Sequence, residues 1–220
     1  MVTRRALRVA ALGGACLAMA CATARAPVSP ALEAAVEHRD SLAVADALEA
    51  LIAEGEDSPA DREYAYEAVT RAEEDTAAYA FARAIVTGRL AQQRGLLGAS
   101  LVDDIENWAL RSRALDPAFR DGAATRLLGT LWVLTPATFL QQGDSERGLA
   151  LLESLVREYP GQPENHLRLA EALVALHDPG PAEPHLCVCL ADKAALRRDE
   201  QRLLDDLVVV AGTPHCPTGP

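Results

Sequence analysis

The residues with the greatest capacity for chemistry lie near the C-terminus: His177, His185, Cys187, Cys189, His215 and Cys216. Thiolates and imidazoles together suit zinc or copper. In an exported chain the same cysteines pair instead, and a Cys187–Cys216 disulfide would staple the last helix. Buried free thiols are the third alternative, because cysteine also serves as a small apolar core residue. A Cys-x-Cys followed by His-Cys near a terminus matches no strong metal pattern, so neither a metal nor a cofactor is expected. Catalytic arrangements are missing as well. There is no Gly-x-Ser-x-Gly elbow, phosphate-binding loop or His-Glu-x-x-His. The acidic pairs Glu73-Glu74 and Asp103-Asp104 are adjacent, and adjacent residues point to different sides of a helix. The expectation is a protein with no catalytic residues that is not an enzyme.

A second set of residues suits binding. Tyr79 and Trp132, with Phe81 and Trp108, can line an apolar groove or fill a core. Arg83 and Arg126 can receive an anionic group or pair with a neighbouring glutamate. Asn165 opens a helix after Pro160 and Pro163, where it can face a groove or act as a cap. His166 beside it can stack on a partner or be a satisfied histidine. Arg197-Arg198-Asp199-Glu200 reads as a solvated helix face.

The elements that must position these residues are helical. Of 220 residues, 43 are Ala and 32 are Leu, both strong helix formers, while aromatics make up only 4%. The periodicity predicts helices near 30–54, 59–73, 75–94, 98–115, 120–134, 144–159, 163–177, 182–191 and 193–211, and no strands. Ser58-Pro59 starts a helix, Asp116-Pro117 and Tyr159-Pro160 end others, and Gly143-Asp144-Ser145 separates two more.

A repeat underlies the pattern. Gly148 and Ala182, Leu152 and Leu186, and Leu155 and Cys189 are each 34 residues apart, the tetratricopeptide period. Leu128-Gly129-x-x-Trp132 matches the first helix of such a unit, and Leu169-Ala170-x-x-Leu173 follows it by 41 residues. The excess of seven places an insertion within Val133 to Gln142. The expected fold class is all-α, a tetratricopeptide-like stack of antiparallel helical hairpins over 31–212, followed by a tail at 213–220. Such units cannot bury their apolar faces alone and stack on one another.

The start of the chain reads as an address. Arg4, Arg5 and Arg8 precede an uncharged run from Val9 to Ala20, too short to span a bilayer. Leu17-Ala18-Met19-Ala20-Cys21 resembles the lipobox of bacterial lipoproteins, which implies a signal peptide over 1–20 and lipidation of Cys21. Residues 21–30 then form a flexible tether. Ala22 after the cysteine favours the outer membrane, facing the periplasm. The net charge is −11, and losing the leader removes three arginines. A body this acidic is disfavoured from binding nucleic acid and is expected to meet the membrane through its lipid alone.

From Asp75 to Leu207 the chain resembles the T component (TatT) of tripartite ATP-independent periplasmic (TRAP) transporters. The resemblance rests on Tyr79-Ala80-Phe81-Ala82-Arg83-Ala84, Ala114-Leu115-Asp116-Pro117, the run from Gly122 to Gly129, Gly148 to Leu152, and the run from Pro163 to Leu173. It implies a periplasm-facing lipoprotein that forms a homo-oligomer, docks a substrate-binding protein of the transporter, and takes a small apolar ligand. Tyr79, Arg83, Arg126, Trp132 and Asn165 are its candidate groove residues. The alternative is a general tetratricopeptide lipoprotein that acts as an assembly scaffold in the outer membrane or the secretion machinery.

Overall fold

A computed structural model describes residues 27–216, so the leader, Cys21 and most of the tether lie outside the described residues. These residues form α-helices α1 (Pro30–Glu37), α2 (Ser41–Glu54), α3 (Pro59–Thr70), α4 (Ala77–Arg94) and α5 (Val102–Leu115). There follow α6 (Ala123–Leu134), α7 (Ser145–Glu158), α8 (Pro163–Ala175), α9 (Glu183–Ala191) and α10 (Arg198–Ala211). Short 3-10 turns lie at Gly95–Leu101, Ala137–Phe139, Gly180–Ala182 and Lys193–Ala195. The protein is an all-α stack of antiparallel hairpins, with no strand among the described residues.

Side-chain caps start four of the described α-helices, α2, α3, α4 and α7. Ser58 accepts from the Asp61 backbone N–H while Asp61 reaches back to the Ser58 N–H, with Pro59 in the first turn of α3. Thr76 caps α4 and Asp144 caps α7 through their side chains. The single helix expected over 30–54 is two helices. Arg39 adopts φ 55°, and Asp40 then accepts from the backbone N–H groups of Leu42 and Ala43 to start α2. The helix expected from 120 begins instead at Ala123, because Arg120, Asp121 and Gly122 all have positive φ. Gly122 is required there twice over, since a Cβ on it would lie 2.3 Å from Leu155 Cδ1. The helix expected from 193 is a 3-10 turn, then α10. At the other end the body begins before residue 31: the Ser29 N–H donates to Asp61 Oδ1 and Leu32 is fully buried.

The positions related by 34 residues are all buried: Gly148 with Ala182, Leu152 with Leu186, Leu155 with Cys189. At Gly129 a Cβ would lie 2.6 Å from Leu152 Cγ, and at Gly148 one would lie 2.8 Å from the Gly129 carbonyl oxygen. The two glycines therefore set the close approach of α6 and α7. Leu152, Leu167, Leu173, Leu186 and Leu204 share one core cluster, and Leu32, Leu48, Val69, Tyr79 and Val86 share another.

The insertion is part of the fold. Glu106 of α5, fully buried, accepts from Trp132 Nε1 at 2.7 Å and from the backbone N–H groups of Gln141 (2.8 Å) and Gln142 (3.1 Å). Three donors satisfy one carboxylate and fasten residues 141–142 to α5. Gly143 lets the returning chain pass against the Trp132 ring, where a Cβ would sit 2.1 Å from Cδ2.

The spiral then closes on itself. Arg197 at the start of α10 pairs with Glu49 of α2 at 2.6 Å, Arg198 pairs with Glu54, and Arg202 donates to the Ala53 carbonyl at 3.4 Å. The even-numbered helices thus form an inner ring.

Candidate functional site: the central cavity

Inside this ring is a cavity of about 650 Å³, within the size range of small-molecule sites. Helix periodicity builds its walls. On α4 the lining residues are Phe81, Ala84, Ile85, Gly88, Arg89 and Gln92, one stripe at intervals of three and one. On α6 the stripe is Ala123, Arg126, Leu127 and Thr130. α2, α8 and α10 contribute Glu49, Glu164, Arg168 and Glu200.

Five guanidiniums line the cavity, and four are matched by carboxylates. Arg89 holds Glu49 with two bonds, at 2.5 and 2.6 Å. Burial raises the Glu49 pKa, but Arg89 and Arg197 outweigh it and keep the carboxyl below the usual range. Arg120 grips Asp46 at 2.7 and 2.6 Å. Arg168 reaches Glu171 at 2.9 Å and Glu200 at 3.5 Å. Arg197 touches Glu49, Asp199 and Glu200.

Arg126 is the exception. Among the described residues its polar partner is the neutral Asn165 amide, whose Oδ1 accepts at 2.6 Å. Burial pushes its pKa down from the ordinary arginine value. Glu164 and Glu200 pull it up, and Arg168 and Arg197 push it down again. Glu164 is the strongest attractive charge on it, yet the two form no ion pair. Four residues along the same face, Thr130 Oγ1 is buried with no hydrogen-bond partner, as is Asn165 Nδ2 behind Arg126.

The structure therefore brings two of the five candidate groove residues together, Arg126 and Asn165. It does not place Asn165 as a cap, since Gln162 occupies that position and Asn165 is fully buried. The other three are elsewhere. Tyr79 is a core residue whose hydroxyl donates to the Ala72 carbonyl at 2.7 Å. Arg83 donates to Tyr79 Oη and the Thr70 carbonyl, and lies over the Trp108 ring at 4.9 Å. Its guanidinium faces the α3 side of α4 because residue 83 lies about 100° around the helix from 84. Trp132 is consumed by Glu106. The charged run 197–200 is not a solvated face: Glu200 is buried and Arg197 crosses to α2.

Near the C-terminus Cys187 and Cys216 are joined as a disulfide. Cys189 is buried, its thiol donates to the Pro163 carbonyl, and burial pushes its pKa up to about 12. Neither position presents a thiolate. His166 Nε2 meets the Pro160 carbonyl at 3.0 Å and must donate to it. Its Nδ1 therefore accepts from His185 Nδ1–H, also at 3.0 Å. Burial, helped by His166, lowers the His185 pKa and so favours its neutral imidazole.

Sequence reasoning missed Arg89, Arg120, Arg168 and Arg197 and their carboxylates. The stripe at 81, 84, 85, 88, 89 and 92 was available as a signal for Arg89. Arg197 depends on the return of α10 to α2, Arg120 on the approach of the turn before α6 to Asp46 of α2, and Arg168, beyond its local pair with Glu171, on Glu200 of α10.

The site thus belongs to an all-α stack of hairpins lining a half-open, charged cavity. No protein-family model and no curated protein sequence matches this chain.

Proposed function

We propose that this protein is a lipid-anchored, periplasm-facing binding scaffold whose cavity holds a small organic anion with an apolar portion. The observation that carries this reading is Arg126: a desolvated guanidinium, facing a cavity, with one neutral amide as its partner. An anionic head on Arg126 would restore its charge balance, and Phe81, Ile85 and Leu127 offer an apolar wall to the rest of the molecule. A purely apolar ligand fits less well, because five guanidiniums line the space. The resemblance to the TRAP transporter T component supports an accessory role, with Cys21 as the lipid anchor. A periplasmic substrate-binding protein is then the partner, and the protein is a homo-oligomer.

The test is native mass spectrometry of the full-length protein with octanoate and, separately, octanol. Octanoate should bind, octanol should not, and Arg126→Gln should weaken octanoate binding by about tenfold or more. Equal retention of both compounds, unchanged by Arg126→Gln, overturns the reading. Crosslinked pull-down from native membranes tests the protein partner.

A further inference from the structure

Leu96 and Leu97 are 94% and 82% exposed, the most exposed large apolar pair among the described residues. They are held at the tip of the α4–α5 hairpin by the glycines on either side. Gly95 adopts φ +56°, and a Cβ on buried Gly98 would lie 2.2 Å from the Ala91 carbonyl oxygen. The turn folds back tightly onto α4 through Gly98, so the two leucines between the glycines project outward.

The tip shares an edge of the stack with the start of the described chain. Ser29 N–H donates to Asp61 Oδ1 at 2.7 Å, and Arg62 beside it donates to the Arg89 carbonyl at 3.2 Å, near the end of α4. The opposite edge is marked by Leu115, since Ser112 Oγ donates to the Ala77 carbonyl at the start of α4. Ser29 lies eight positions after Cys21, a span of at most about 28 Å.

We propose that, beyond the lipid contact expected from the sequence, Leu96 and Leu97 insert into the headgroup boundary of a zwitterionic lipid bilayer, fixing the orientation of the body on its anchor. The inference rests on Cys21 being lipidated. A span of this length lets this edge of the protein reach the membrane, and exposed Arg94 beside the pair can reach a lipid phosphate. Glu54 and Asp57 on the same edge are paired with Arg198 and Arg62, while exposed Glu56, beside the start of α3, would be repelled by an anionic surface.

The full-length lipoprotein would be reconstituted in phosphatidylcholine vesicles with an environment-sensitive fluorophore on Leu97→Cys, and in parallel on Leu115→Cys. Cys189 is buried with its pKa near 12, so labelling is selective for the new thiol. Emission from position 97 should shift to the blue and be quenched about twofold by lipids brominated roughly 5–10 Å deep, with no change at position 115. A floating, lipidated protein whose two labels are equally wet overturns this proposal and leaves the anchor standing. A chain whose mass shows no diacylglycerol and which stays in solution overturns both. Sedimentation in which Leu96→Ser/Leu97→Ser turns a dimer into a monomer assigns the tip to a second copy, and also overturns it.

Discussion

The Glu106 carboxylate and the Arg126 guanidinium are both withdrawn from bulk water, and the protein treats them in opposite ways. Glu106 receives three N–H donors, from Trp132, Gln141 and Gln142, and is fully buried. Arg126 has one neutral partner, and its outer atoms face the cavity. The difference separates a charge that holds the fold together from a charge held ready for something else. Completeness of hydrogen bonding, more than depth, distinguishes the two.

The largest effect is expected at Glu106. Glu106→Ala leaves three donors unpaired in the interior and should cost about 3 kcal/mol of stability, read by urea denaturation. An unchanged midpoint would mean that Glu106 does not hold the fold together. Next comes Gly143→Ala, whose Cβ meets the Trp132 ring at 2.1 Å. It should cost about 2 kcal/mol through overpacking, with the Trp132 fluorescence environment altered. Arg126→Gln should sharpen the contrast by leaving the thermal midpoint level or raised, because it removes a desolvated charge. Loss of stability comparable to Glu106→Ala would make Arg126 a structural residue. Glu164→Gln should tighten octanoate binding by a few fold, since it removes a negative charge facing Arg126.

The smallest effect concerns the histidine pair. The folded pKa of His185 lies below its ordinary 6.5, so the unfolded chain takes up a proton first as pH falls. Stability is then present above pH 6.5 and declines as pH drops through the folded value. His185→Gln should flatten that part of the stability–pH curve. An identical curve in the variant would mean that other groups carry it.

Much of the architecture was legible in the sequence because its causes are local. Pro59 at a first turn, Pro117 and Pro160 after helix ends, and the 34-residue spacing of small and large apolar residues act over short range. The missed break at Arg39 and Asp40 was local too, but an Ala- and Leu-rich surrounding concealed it. The candidate site was legible only in part. Arg126 and Asn165 could be named as polar residues on apolar helices, yet so could Arg83, which stacks on Trp108 away from the cavity.

By itself the sequence determined the helical class, most of the helix positions and the 34-residue spacing of small and large apolar residues. Those follow from periodicity and caps, which each segment carries within itself. Only the tertiary structure decided how Arg89, Arg120 and Arg197 are neutralised. Glu49 meets Arg197 across 148 residues of chain, when α10 returns to α2. Pairing of charges depends on distances of a few ångströms, and those are fixed by how the whole spiral closes.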